Sequence, residues 1–173
     1  LGVPSLHATM PVNVSAEPGS FQALSNSSLL GALLGEELNY DLEADGLSIP
    51  GDAKGQIVGG NLSILYSLCG SSSDIDTTGK ILFIEDLDEY LYHVDRMLMN
   101  MKRTGKLSGL SALIVGGMSD MNDNTIPYGK TAEEIILEHT EAFDYPVYFG
   151  FQAGHVEPNL ALRLGMTAEI KDN

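Results

Sequence analysis

KILFIEDLDEYLYHVDRMLMNMKRTGK, residues 80–106, sets a continuous β-rich run directly before apolar residues at helical spacing. The run ILFI offers no polar residue to turn toward water, which is the composition of a strand buried on both faces. Leu87, Leu91, Val94, Leu98 and Met101 then recur every three or four residues and so share one side of a helix. Acidic residues come early in this stretch and Lys102 and Arg103 come late, the order the helix dipole favours. The stretch predicts a buried strand feeding an amphipathic helix.

The same alternation continues on the C-terminal side. LSALIVGG (110–117) reads as a second buried strand, MSDMNDNTIPYG (118–129) as a polar loop, and TAEEIILEHTEAF (131–143) as a helix opened by a capping box of Thr131 with Glu134. YPVYFGF (145–151) reads as a third buried strand, and NLALRLGMTAEI (159–170) as the closing strands. On the N-terminal side, NLSILYSLCG (61–70) carries the helical set Leu62, Leu65, Tyr66 and Cys69, with Asn61 as its cap. Residues 38–61 alternate apolar and polar positions around Gly and Pro, and two or three strands fit there. Residues 15–35 contain a helix with Leu29, Leu30, Leu33 and Leu34 on one face and Gly35 as its stop, and residues 1–14 read as extended. The fold class is α/β: a mixed, partly parallel sheet with helical cover and a second β layer.

The bulk numbers narrow the function. A length of 173 residues suits one domain with a real core. Twenty-four acidic residues against 9 basic ones give a net charge of −15, a field that repels phosphate backbones; no nucleic acid and no membrane is expected as a partner. No apolar stretch reaches the roughly 20 residues of a membrane span, and the first residues show neither a positive n-region nor a long apolar core. The lone Cys69 forms no internal disulfide and reads as a small buried thiol, weakly favouring the cytoplasm. The chain starts LGVPSLHATMPV, without an initiator Met and in strand-like sequence, so it is expected to be cut from something longer.

Two residues stand where chemistry gathers in α/β sheets, beyond the carboxyl ends of strands. Glu85 follows ILFI, and His155 follows VYFGF within GFQAGHVEP (150–158). Brought together, a Glu would fix the tautomer of the imidazole and steady the imidazolium formed when its other nitrogen takes a proton. Taken alone, a His in a Gly-rich loop is commonly a hydrogen-bonded turn residue and a Glu at a strand end a helix N-terminal charge, and from the pattern that reading stands beside the first. His7, His93 and His139 are scattered and read as surface or satisfied positions. SDMNDN lacks the spaced Gly and terminal Glu of a calcium loop. GSSSD (70–74) follows a helix, whereas a nucleophile elbow joins a strand to a helix. The GGN turn has neither Rossmann nor Walker spacing.

In order, GQIVGGNLSIL, GKILFIEDLDEYLYHVDRMLMNM, LSALIVGGMSD and PVYFGFQAGHVEPNLALRLG resemble the C-terminal half of the LD-carboxypeptidase family, which includes murein tetrapeptide LD-carboxypeptidases and microcin self-immunity peptidases. The likeness runs from about residue 56 to 166. LHATMP is similar to the His-Gly-Pro-Met-like string with which the family leaves its N-terminal domain, and Arg163 stands where a Pro is common. The resemblance implies a swivelling β/β/α domain and a Ser-Glu-His triad split between two domains. Glu85 falls on the triad glutamate and His155 on the triad histidine, and Asn61 would lie near the substrate end of the cleft. Arg96 would pair with a carboxylate inside the domain. The serine motif, Gly-Tyr-Ser-Asp-like, has no match here, so residues 1–14 are expected to leave a missing N-terminal domain and 15–173 to form the C-terminal one. The expected substrate is a murein peptide, the expected assembly a homodimer and the compartment cytoplasmic, with no metal or organic cofactor required.

Overall fold

The computed structural model describes residues 3–13, 17, 19–42 and 46–172. Its main sheet is built from β2 (Ala53–Asn61), β3 (Ile81–Leu87), β4 (Ala112–Ser119), β5 (Val147–Tyr148) and β7 (Thr167–Ile170), in the order β5-β4-β3-β2-β7. The pairs β2–β3, β3–β4 and β4–β5 are parallel and β2–β7 is antiparallel, which makes the sheet mixed. A second, two-stranded antiparallel sheet joins β1 (Ser5–His7) to β6 (Leu162–Leu164), with His7 opposite Leu162.

Parallel neighbours need crossovers, and the helices supply them. α2 (Leu62–Leu68) follows β2, α3 (Leu91–Arg103) follows β3 and α4 (Ala132–Thr140) follows β4. Two of them begin at a side-chain cap: the Asn61 side chain accepts from Ile64 N–H, and Thr131 with Glu134 forms the expected capping box, while α3 starts after Tyr90 without one. α3 turns Val94, Met97, Leu98 and Met101 inward against Leu82, Ile84, Leu113 and Val115 of the sheet.

Strand alternation then divides β3 between two cores. Leu82 and Ile84 face the helices, while Ile81 and Phe83 face the opposite side with Tyr148, Phe151 and Leu162. Phe83 has no exposed surface, and burial of a ring of this size stabilises the fold by roughly 1.5–3 kcal/mol. Continuing the alternation, Glu85 emerges on the Phe83 side and Asp86 on the helix side, both buried.

α1 (Phe21–Leu34) lies across residues 159–163 through its small side chains, and Ser25, Gly31 and Ala32 are buried. The Arg163 guanidinium donates to Gly31 O and Ala32 O, satisfying carbonyls at the end of this helix. Leu30, Leu33 and Leu34 are exposed, so the leucine face of this helix points away from the core.

Two strand expectations need correction. Within residues 38–61 the described chain forms one strand, β2, and a single bridge from Ile49 to Val147; residues 43–45 lie outside the described set. The apolar positions Tyr40 and Leu42 pack onto the second core without pairing, and the Tyr40 hydroxyl donates to Ala161 O at 2.8 Å. The run 145–151 forms only the two-residue β5, because Phe149 N–H is taken by the Ser48 hydroxyl oxygen before the chain returns to β4 at Phe151. Arg96 rests over the Tyr92 ring at 5.3 Å and has no carboxylate within ion-pair distance among the described residues.

Candidate functional site

Glu85 sits at an irregularity in the sheet. Ile84 pairs with Val115 but Asp86 pairs with Met118, which leaves Gly116 and Gly117 together opposite Glu85. Such a bulge re-aims the side chain beside it. The two glycines also let the chain carrying His155 come close: a Cβ at Gly116 would meet Ala153 O at 2.4 Å, and one at Gly117 would meet Val156 at 2.4 Å. Backbone bonds hold this approach, from Gly117 N–H to Ala153 O at 3.0 Å and from Phe151 N–H to Val115 O at 3.1 Å. The Ser119 hydroxyl donates to His155 O at 2.7 Å.

The result is a contact across 70 residues of sequence, His155 Nδ1 to Glu85 Oε2 at 2.8 Å. Glu85 is 1 % exposed, while the His155 side chain is half exposed. One ring nitrogen thus meets a buried carboxylate, and Nε2 has no partner among the described residues. Burial is the largest single influence on the Glu85 carboxyl and opposes its ionisation, but contacts with His7 and His155 together outweigh it and hold the group below its ordinary value. The carboxylate is therefore charged at neutral pH and orients the imidazole with Nδ1–H toward it.

His155 stands on the rim of a cleft of about 480 Å³ whose walls include His7, Thr9, Gln22, Gly154 and Asn159. A larger cavity of about 930 Å³ is lined by residues 37–42 and parts of β2, β6 and β7, and no imidazole lines it.

Asn61 is opposite Glu85 in the β2–β3 register, yet its side chain is already used. Its oxygen caps α2 and its amide donates to Asp86 Oδ1 at 2.7 Å, and Asn61 does not line the His155 cleft. Asp86 gathers this corner by also accepting from Ser63 N–H at 3.0 Å and Leu87 N–H at 2.9 Å. The other helical histidines are satisfied as expected, His93 against Glu89 at 2.6 Å and His139 against Asp95 at 2.8 Å.

His7 departs from that expectation. Its Nε2 lies 3.7 Å from Glu85 Oε1, the oxygen that His155 leaves open. Sequence spacing gave no hint of this, since 78 residues separate the two positions; the available signal was the placement of His7 in the LHATMP segment.

Comparison with known proteins agrees with this architecture. The model for the LD-carboxypeptidase C-terminal domain matches residues 54–170. A probable murein peptide carboxypeptidase of Bacillus subtilis is 38 % identical over 140 residues, covering 78 % of this chain and 43 % of that protein. The microcin C7 self-immunity protein of Escherichia coli is 30 % identical over 124 residues, covering 69 % of this chain and 35 % of that protein. A crystal structure of muramoyltetrapeptide carboxypeptidase from Oxalobacter formigenes shares the fold with a TM-score of 0.84 at 24 % identity, over 99 % of this chain and 58 % of that one. The chain thus spans less than two thirds of the length of each of these relatives. With its mixed sheet, small second sheet and matching domain model, the chain belongs to the LD-carboxypeptidase family and carries that family's C-terminal domain.

Proposed function

We propose that this chain supplies Glu85 and His155 to a Ser-Glu-His triad whose serine lies on an N-terminal domain outside the chain, and that the assembled enzyme releases the terminal D-Ala of a murein tetrapeptide by hydrolysing an L,D-amide bond. The observation that carries the reading is the 2.8 Å contact between the buried Glu85 carboxylate and Nδ1 of His155, with Nε2 left at a cleft.

In this mechanism Nε2 takes the proton of the serine hydroxyl as its oxygen attacks the amide carbonyl carbon, and Glu85 steadies the imidazolium. The proton passes to the leaving amine of D-Ala as the C–N bond breaks. Water then repeats the cycle on the acyl ester, with His155 again as base. No step calls for a metal or an organic cofactor. Asn61, at the end of β2, would act on substrate only through its second amide hydrogen, its other bonds being made within the fold.

Residues 1–14 would lead out of the serine-bearing domain and 15–173 would form the C-terminal one. The exposed Leu30, Leu33 and Leu34 of α1 offer an apolar face for a second copy or for that domain. The proposed role is cytoplasmic, in recycling wall peptides; among the described residues no helix is long and apolar enough to cross a membrane.

The test is D-Ala release from murein tetrapeptide by the chain alone, by the serine-bearing protein, and by that protein with His155→Ala. Activity only in the serine-bearing wild type supports the split triad; release by the chain alone rejects it. The likeness to the microcin self-immunity protein favours one second substrate class, a peptidyl nucleotide, and release of aspartate from aspartyl sulfamoyl adenosine by the same three proteins separates it from the murein reading. Binding of either ligand without turnover by the serine-bearing protein would instead assign a non-catalytic peptide-binding role.

A further inference from the structure

The Glu85 carboxylate is held from two sides. His155 meets Oε2, and His7, brought over the sheet by the pairing of β1 with β6, points Nε2 at Oε1 from 3.7 Å. That separation is ion-pair range and slightly beyond a direct hydrogen bond. Among the described residues these are the two titratable side chains that act on Glu85.

The placement of His7 is constrained on its other sides. Its ring stands edge-on to Phe83, the residue two before Glu85, with centroids 5.0 Å apart. The segment after it is pinned where the Gln22 side-chain amide donates to the buried Thr9 hydroxyl at 3.1 Å. Its Nδ1 is buried and has no hydrogen-bond partner. An imidazole that only filled space would gain nothing by burying an unpaired nitrogen, because that nitrogen forfeits its bond to water. With the hydrogen on Nε2, the ring aims its donor at Oε1 and leaves Nδ1 as a bare acceptor, the less costly arrangement for the buried atom.

The geometry points to His7 as a positioning residue for the Glu85–His155 pair: it occupies the second carboxylate oxygen, so that Glu85 is held in the one orientation that presents Oε2 to Nδ1 of His155. The assignment rests on the triad reading above for its catalytic consequence, though not for its structural test. It extends the line of polar contacts to His7–Glu85–His155 and draws the LHATMP segment, which lies before the matched 54–170 domain, into the site.

The experiment follows the chain itself by NMR, with carboxyl-labelled Glu and ring-labelled His, in wild type, His7→Phe and His7→Gln. Phe keeps the ring and removes the donor; the Gln amide reaches the place of Nε2 and restores it. The expected result is that Glu85 titrates at higher pH in His7→Phe than in wild type. At neutral pH the downfield His155 Nδ1–H resonance should be lost in His7→Phe and present again in His7→Gln. Backbone amide spectra that overlay away from the cleft exclude unfolding as the cause. A Glu85 titration and an Nδ1–H resonance unchanged in His7→Phe overturn the assignment, as does a His7→Gln protein that behaves like His7→Phe. In the serine-bearing protein, His7→Phe should lower kcat about 10-fold to 100-fold with KM unchanged, the signature of a misoriented base. If that protein has no peptidase activity at all, the triad reading fails while the NMR arm still decides the role of His7.

Discussion

Gly154 and Glu85 touch in space that only a hydrogen can occupy: a Cβ on Gly154 would lie 2.6 Å from Glu85 Oε2 and 2.7 Å from its Cγ. Gly154 also has φ +100°, where an L side chain is strained. Gly154→Ala should therefore push Glu85 aside as well as strain the loop. We expect a loss of about 2–4 kcal/mol in urea unfolding, from backbone strain plus overpacking. In the serine-bearing protein kcat should fall about 100-fold, because the carboxylate and imidazole no longer meet.

The charge on Glu85 makes stability depend on pH in a definite sense. His7 and His155 hold the folded carboxyl below its ordinary value of 4.5 despite burial. The ionised carboxylate therefore favours the folded state, fully above the unfolded value, and this contribution is lost as pH falls through the lower folded value. Glu85→Gln has nothing to titrate. Urea midpoints measured from neutral pH down to the region below 4.5 should fall more steeply for wild type than for Glu85→Gln. Parallel curves would mean that the carboxyl titrates alike in both states. In the serine-bearing protein the same variant should lower kcat by up to about 10⁴-fold, as the imidazole loses its orienting charge.

Much of this architecture could be read from residues 80–106 outward, for a physical reason. A strand buried on both faces must be apolar throughout, and a helix packed on it must repeat every three or four residues, so β3 with α3 and β4 with α4 each announce themselves. Caps are local chemistry, and Asn61 and Thr131 act where expected. The segment holding Tyr40 and Leu42 misleads because alternation records which side chains are buried and says nothing about whether the backbone is paired. Strand ends made a Glu85–His155 pair one of two readings and family likeness favoured it, but neither gave the means of bringing the two together. It depends on an extra residue in β4 and on glycines at 116, 117 and 154 whose neighbours are remote in sequence. His7 escaped for the same reason, since its partner is chosen by the β1–β6 register.

Asp86, beside Glu85 in sequence, faces the helices and has a different task. It accepts from Asn61 Nδ2, Ser63 N–H and Leu87 N–H while 2 % exposed. Asp86→Ala would leave several donors unpaired in the corner where β2 turns into α2. We expect a loss of about 2–4 kcal/mol by denaturant unfolding, with Asp86→Asn less affected because one oxygen remains. Equal stability of Asp86→Ala and wild type would show that water replaces these bonds freely.

The link from α1 to the site passes through Ser25. Its hydroxyl donates to Phe21 O and accepts from Asn159 N–H at 2.8 Å, while the Asn159 side chain accepts from Gly154 N–H at 3.1 Å, one residue before His155. Ser25 is 1 % exposed, so water cannot take the place of its oxygen without rearrangement. Ser25→Ala should leave Asn159 N–H unpaired at a cost of about 1–3 kcal/mol. The loss should be local as well as global, because the loop is held by few bonds and the sheet by many. Amide exchange at Asn159 and Gly154 should quicken more than exchange in β3. Ser28→Ala is the control: the Ser28 hydroxyl accepts from Ala161 N–H at 3.0 Å, beyond the Asn159–Gly154 link, so it should destabilise α1 packing while leaving Gly154 protected. Uniform acceleration across loop and sheet in Ser25→Ala would mean that the helix supports the fold as a whole and does not set the His155 loop in particular.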